Sequence, residues 1–546
     1  MVRSAQTPVR RSSLRFIAVP FLVYLLHAWL FGGWIVDDAG ISFSYARNLA
    51  AGHGLVAQPG LPPVEGYSNF LWVLLMAQFF PLRLFDPVLT PKLVGVALTG
   101  GFFLGLAGAL RKLDPAAGGA VAVVALCLTA LNTSFTVWTI SGLENSLYVA
   151  WIGVLFGLLV RERTGGPRPW ISAAAGAAAA GIALTRPDGL LYAALYPLLT
   201  LGAEEGAPRI GPAAGRIARF AAVFLVLFGG FLAFRVTYFG DLQPNTYYAK
   251  SAPMGALMSQ LVTLQPSIWH RLRDPLESAA DEAGTLLLVP LAGAVAFLAW
   301  RRRLRWGHAA LLAFAGCAAL VYILLPGDWM REYRFATPFY PFFYAGVCLL
   351  TVTLGCELIR RSGVRKLVGG GAAALALGLA LLLFLPRSRT YAAGPALAFS
   401  EVERKIGRRF NRYADALDVR EGSFLVPDIG GALWSSRLRI YDLAGLTDRT
   451  LARTLQKDRG AFQEYVFEET RPTFILVHGP WAVAAGLNRD PRFRRDYVPL
   501  YLQGDPGGEI TVGPGRQAGI FVRKDVVAGK DAAVEAIRAE LAAGGY

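Results

Sequence analysis

The chain has 546 residues, 54% of them hydrophobic and only 17% charged, with a mean hydropathy of +0.42 and a formal charge of +16. Soluble domains carry about 25% charged residues, and apolar runs of about 20 residues, enough to cross ~30 Å of hydrocarbon, recur here from Ser13 to Pro386. A soluble enzyme is thereby excluded and an integral membrane protein indicated.

In chain order, the N-terminal apolar run is too long for the 7–15-residue hydrophobic region of a signal peptide and reads as a retained first span. It predicts one hydrophobic helix from about Ser13 to Val36 running into the adjacent carboxylates Asp37 and Asp38, followed by a polar loop rich in Gly, Pro and aromatic residues. A pair of acids at a membrane surface is costly and marks a functional position. Eleven spans are predicted at 15–36, 92–110, 118–135, 144–160, 170–185, 188–203, 217–236, 284–300, 309–325, 338–356 and 367–386. The Ala/Gly-rich stretch 173–183 suits close helix packing. Segment 68–82 (SNFLWVLLMAQFFPL) is short and ends at Pro81.

Charge decides the side taken by each connection, because cytoplasmic loops are enriched in Lys and Arg. With 68–82 interfacial or re-entrant, the inside pieces are the N-terminus, 111–114, 161–168, 204–219, 301–308 and 357–366. They hold 20 basic and five acidic residues, which is +15 of the net +16. A full crossing by 68–82 would turn every later Arg cluster outward. The N-terminus is therefore expected inside and the tail outside. The basic balance is an orientation signal, and nucleic acid is not expected as a partner.

Beyond about Pro386 the composition changes. Short apolar runs (SFLVPDIG, LRIYDLAGL, TFILVHG, GIFVRK) alternate with charged, helix-like stretches such as LAFSEVERKIGRRFNRYADAL. The expectation is a transmembrane module over 1–386, with a first outer loop at 37–91, and a small soluble α/β domain over 387–546. The four cysteines, Cys127, Cys317, Cys348 and Cys356, lie in or at the ends of predicted spans and read as packing residues. No disulfide framework is indicated. His53 has no second His nearby, and HExxH, Walker and nucleophile-elbow patterns are lacking, so zinc, nucleotide-driven and serine-hydrolase chemistry have no support.

The unusual polar groups collect on the expected outer side. The first loop offers Asp37, Asp38, Tyr45, Glu65 and Asn69. TISGLEN offers Glu144, and TRPDG offers Arg186 and Asp188. RVTYFGDLQPNTYYAK offers Asp241, Asn245, Tyr247 and Lys250. PGDWMREYRFATPFYP offers Asp328, Arg331 and Arg334, and the tail offers Asp428, Trp434, Arg437 and Asp442. Two of these have plainer readings: Glu144 as a helix N-terminal charge, and Arg186 with Asp188 as a pair across a turn. External carboxylates beside cations and aromatics suit sugar transfer from a phospholipid donor. One Asp acts as general base on the acceptor hydroxyl, while Lys250, Arg331, Arg334 and Arg186 stabilise the leaving phosphate. A divalent cation (Mg or Mn), held by Asp37 or Asp38 and bridging to phosphate, is chemically reasonable and not demanded.

DDAGISFSYARNLAAGHGL, VEGYSNFLW, SGLEN, TRPDGLLY, YFGDLQPNTYYAK, GDWMREYRFATPFYP and VPDIGGALWSSRLRIYDLAGLTDRTLAR follow one another along nearly the whole chain. This set resembles the GT-C integral-membrane glycosyltransferases, nearest to the arabinofuranosyltransferase B type. The resemblance implies a GT-C helical membrane fold with about eleven spans, a polyprenyl-phosphate sugar donor, an active site at the periplasmic face of a bacterial inner membrane, and catalysis by a first-loop aspartate. By position that is Asp38, with Asp37 as its partner or as a ligand. The acceptor is an envelope polysaccharide, a glycolipid or, less favoured, a protein. Gly40 and Ser44 stand where that family usually shows an aromatic residue and an Arg, which leaves the donor sugar open. The rival classes are a lipid-linked-sugar transporter or flippase and a non-catalytic glycan-binding membrane protein.

Overall fold

The structure is a computed structural model that describes residues 9–202, 210–250, 285–325, 329–503 and 518–544. It divides into two compact units. One comprises residues 1–33, 88–233 and 253–396, and the other 34–87, 234–252 and 397–546. The first outer loop and the segment around Asp241 thus belong with the tail.

The first unit is helical. Among the described residues, six helices are long and apolar enough to cross a membrane: Leu89–Leu113, Asn145–Gly165, Ala213–Phe239, Trp306–Leu324, Phe339–Leu358 and Ser362–Ala393. A bent pair, Gly118–Leu131 with Thr133–Thr139, makes a seventh, and Phe16–Trp29 and Pro169–Thr185 are shorter apolar helices. Each of the other two predicted segments is also helical, as Thr285–Trp300 and as the pieces Leu190–Ala193 and Leu195–Leu201.

Three expectations are corrected. The first helix ends at Trp29, and Asp37 opens a separate helix, Asp37–Ala50, where a loop was expected. The two acids stand in its first turn, where negative charge favours the helix dipole. The span expected at 118–135 stops at Leu131, because Asn132 caps a new helix by accepting the Phe135 amide at 2.9 Å; the two pieces meet at 75°. The helix expected over 188–203 is broken, since Pro187–Gly189 form a single 3₁₀ turn and the chain then runs in two short helices. Segment 68–82 holds the helix Phe70–Ala77, which at ~1.5 Å per residue is far too short to cross.

The loops of this unit gather at two ends. At one, Arg111 lies over Phe16, Arg161 over Trp170, and Arg303 pairs with Glu357. There the Trp306 indole donates to Leu199 O and the Tyr196 hydroxyl to Glu162. At the other, the segments around Ser134, Glu144, Arg186, Glu332 and Arg387 meet. These are the same two sets that the charge bookkeeping separates.

In the second unit the tail builds a five-stranded sheet of β1 (Ser423–Val426), β2 (Arg439–Asp442), β3 (Phe474–Val477), β4 (Tyr497–Leu502) and β5 (Gly519–Arg523), in the order β2-β1-β3-β5-β4. β1 runs parallel to β2 and β3, while β5 is antiparallel to β3 and β4. The four apolar runs became β1, β2, β3 and β5; β4 (YVPLYL) was not anticipated. A core of Leu425, Phe462, Phe467, Ile475, Phe493 and Phe521 packs the sheet against its helices.

Candidate active site

Asp37 and Asp38 are placed by backbone pairing. Val36 bridges Ala398, the Asp37 amide donates to Leu397 O at 2.9 Å, and the Phe399 amide to Ile35 O at 2.9 Å. The Asp37 carboxylate then accepts the amides of Gly430 at 3.0 Å and Gly431 at 2.7 Å, which open the helix Gly430–Ser435. Ten residues on, Arg47 donates to the carbonyls of Leu433 and Trp434, at 3.0 and 2.8 Å, and lies over the Trp434 ring. An acid at one helix start and a cation at its end each favour the dipole, so Asp37–Ala50 and Gly430–Ser435 are clamped at both ends.

The clamp needs glycine. A Cβ on Gly430 would fall 1.8 Å from Asp37 O, one on Gly431 2.3 Å from Glu403 N, and one on Gly40 2.5 Å from the Gly430 backbone. Burial pushes the Asp37 carboxyl well above the usual carboxylate range, the negative charges of Asp428 and Asp38 add to this, and the two amides oppose it. Asp37 is 3% exposed with both oxygens engaged. Asp38, the next residue, is only half-buried.

The remaining first-loop residues hold the same unit together. The Tyr45 hydroxyl donates to Val64 O at 2.5 Å, and Asn69 bonds Ser42 at 3.0 Å. Glu65 pairs with Arg235 at 2.7 Å. Asn245 donates from its amide to Glu65 O and from its side chain to the carbonyls of Gly445 and Leu446. Asp241 pairs with Arg453 at 3.0 Å and Arg449 at 3.3 Å. Asp442 accepts the Thr447 amide at 2.7 Å and is pushed up to about 7 by burial, against the pull of the Thr447 bonds. Tyr247 packs edge-on against Tyr248. Asp428 accepts from or donates to His478 at 2.6 Å, and Arg437 pairs with Asp415. Tyr45, Glu65, Asn69, Asn245 and Asp442, expected as substrate ligands, are buried and bonded within this unit. Lys250 is exposed.

In the helical unit, Arg186 is buried between Glu144 at 2.7 Å and Asp188 at 3.0 Å, with the Tyr148 hydroxyl donating to Asp188. The turn pairing of Arg186 with Asp188 is present, and Glu144, immediately before the helix Asn145–Gly165, joins it. Arg334 is buried over Phe335, whereas Arg331 is exposed. Asp328 lies outside the described residues. Glu332 and Tyr333 are both left-handed, at φ 68° and 44°, a costly pair for residues with a Cβ. The Ser134 hydroxyl and the Trp138 indole both donate to Glu332 O, at 2.7 and 2.6 Å, and Arg387 binds its carboxylate at 2.9 Å.

Sequence reasoning passed over Gly430, Gly431, Arg235, Arg387 and His478. The Gly-Gly pair after an apolar run was a usable signal. The two arginines gave none, because their partners lie 170 and 55 positions away. Among the described residues no three His, Cys, Asp or Glu side chains converge as a metal-binding group.

A family model described as a domain of unknown function (DUF8728) matches residues 395–514. No curated protein matches the sequence. Among solved structures, the archaeal oligosaccharyltransferase AglB from Archaeoglobus fulgidus, in complex with an inhibitory peptide and a dolichol-phosphate, is similar with a TM-score of 0.53 and 14% identity, over 92% of this chain and 74% of that one. The apo form of the A. fulgidus enzyme gives 0.55 and 13%, over 98% and 78%. ArnT from Cupriavidus metallidurans bound to undecaprenyl phosphate gives 0.50 and 12%, over 96% and 99%. The chain is a polytopic α-helical membrane protein of the GT-C fold, carrying a C-terminal α/β domain.

Proposed function

We propose that the protein is a glycosyltransferase that moves a sugar from a polyprenyl-phosphate donor to an envelope glycan or lipid at the periplasmic face of a bacterial inner membrane. The observation that carries this reading is the division of labour between neighbouring acids on a GT-C fold. Asp37 is locked to Gly430 and Gly431, and the lock presents Asp38 half-exposed in the first turn of its helix. Two of the similar structures contain dolichol-phosphate and undecaprenyl phosphate respectively, which supports a lipid-phosphate donor here.

In this reading Asp38 takes the proton of the acceptor hydroxyl as that oxygen attacks the anomeric carbon. The bond from that carbon to the phosphate oxygen breaks, and polyprenyl phosphate leaves with the electron pair. Of the four cations considered for that phosphate, Arg186 and Arg334 are buried, whereas Lys250 is exposed and belongs to the unit that carries Asp38, which favours Lys250 for the role. A divalent cation, were one used, would be held by Asp38 and would supply positive charge against the leaving phosphate.

The test is transfer by purified protein from a panel of labelled polyprenyl-phosphate sugars to crude envelope glycan, with and without EDTA. Asp38→Asn is expected to lower transfer by about 10²–10⁴-fold, the usual scale for a general base, with folding unchanged. Donor binding without turnover, indifferent to Asp38→Asn, would sink the reading and favour a transporter or a binder.

A further inference from the structure

The tail's sheet has a switch point. From β1 the chain goes to β2 on one side, and then returns past β1 to β3 on the other, with all three strands parallel. In open α/β sheets the crevice outside the carboxyl ends of two such strands is where ligands bind, because the connections there leave in opposite directions. β1 ends at Val426 and β3 at Val477. Two residues past β1 is Asp428, and one past β3 is His478. Their side chains meet at 2.6 Å and stay partly exposed, at 20% and 26%. A crevice of about 260 Å³ opens on them, also lined by Glu401, Lys405, Gln503 and apolar Val402 and Ile406. That volume lies near the lower bound of about 300 Å³ for small-molecule sites, too small for a lipid tail.

The lining specifies a class of ligand. Lys405 pairs with Glu401 at 2.7 Å, and His478 with Asp428. Each acid is thus held by a neighbour and Lys405 is engaged by Glu401, so no cation is left over to draw an anion, while the crevice keeps donors and acceptors on several sides and an apolar wall. A neutral polyhydroxylated ring has matching hydroxyls and C–H faces. Leu397, whose carbonyl accepts the Asp37 amide, lines the same crevice, and Gly430 is two residues past Asp428. The crevice therefore adjoins the turn that presents Asp38.

We propose that this switch-point crevice is a binding subsite for one neutral sugar unit of the acceptor, an assignment that rests on the glycosyltransferase reading for the word acceptor but not for the binding itself. The probes are free arabinose, galactose and mannose, with glucuronate and inorganic phosphate as charged comparators. Binding to the full-length protein in a sugar-free detergent is read by saturation-transfer NMR for the sugars and by ³¹P line broadening for phosphate. At least one neutral sugar is expected to bind the parent and Asp38→Asn alike. Its affinity should fall about tenfold, the cost of one good polar contact, in His478→Ala and in Gln503→Ala. The second variant alters an exposed side chain and so guards against misfolding of the first.

Absence of neutral-sugar binding by the parent, unchanged binding in both variants, or charged probes binding as well as neutral ones would overturn the subsite. The two readings fail separately. A parent that transfers sugar but shows no dependence on His478 and Gln503 loses the subsite alone, whereas one that binds neutral sugar at the crevice without any transfer loses the glycosyltransferase reading alone.

Discussion

The methyl group that alanine would add at position 430 falls 1.8 Å from the carbonyl oxygen of Asp37, so the carboxylate clamp and the glycine that permits it are one device. Gly430→Ala is expected to destabilise the protein by at least the ~1–3 kcal/mol of an overpacked core, and to lower transfer because Asp38 moves with its neighbour. Gly101→Ala is the control: it lies inside a helix with nothing within 4 Å of the added methyl, where alanine is favoured by about 0.5–1 kcal/mol. Thermal unfolding of both variants beside the parent checks this. Equal shifts would show that the close approach at Gly430 is not limiting.

Asp442 supplies a pH dependence of determinate sign. Burial raises its folded value to about 7 from 3.8, so between those values the folded protein holds a proton that the unfolded chain has lost. The stability that Asp442 contributes is complete below the ordinary carboxylate range and is lost as pH rises toward about 7. Asp37, also raised by burial, acts in the same direction. Asp442→Asn keeps an acceptor for Thr447 and removes the titration. Its melting temperature should therefore fall less than the parent's between pH 5 and pH 8. Parallel curves would refute the assignment.

At the scale of the element, what the sequence could tell depended on how local each cause is. The spans and four of the five strands were readable because hydrophobic length and alternation are local. The helix at Asp37–Ala50 was missed because its buried side, including Gly40 and Phe43, is packed by partners far along the chain. So was the structural use of Glu65 and Asn245, whose contacts are Arg235 and the 445–448 backbone. The break at Asn132 was locally written, since Asn followed by Thr-Ser is a helix-start signal, but it sat within an apolar run and was overridden by it. Asn132→Ala should cost about 1 kcal/mol through the lost cap. It should also loosen the short helix whose Ser134 and Trp138 hold the strained Glu332. Hydrogen exchange over 133–139 and 332–337 would rise together if the two segments depend on one another, and only the first would change if they do not.

For the molecule as a whole, charge and exposed apolar surface together give an expected orientation that labelling can test. Helices Ala213–Phe239 and Ser362–Ala393 are each only 11% buried over their most apolar stretch, and Val226, Leu367, Leu382 and Leu383 stand outward. In water such faces would aggregate, and in lipid they need no cover. The loops of the helical unit sort into an Arg-rich end and an end with buried ion pairs, and the positive-inside bias assigns the first to the cytoplasm. The tail, entered from the helix Ser362–Ala393, is then expected outside, which is where the proposed transfer needs Asp38. In a background lacking the four native cysteines, Arg420→Cys in the tail should react with a membrane-impermeant maleimide in intact spheroplasts. Arg302→Cys should react only after permeabilisation. The reverse pattern would turn the molecule over, placing Asp38 in the cytoplasm and leaving the periplasmic reaction without its base.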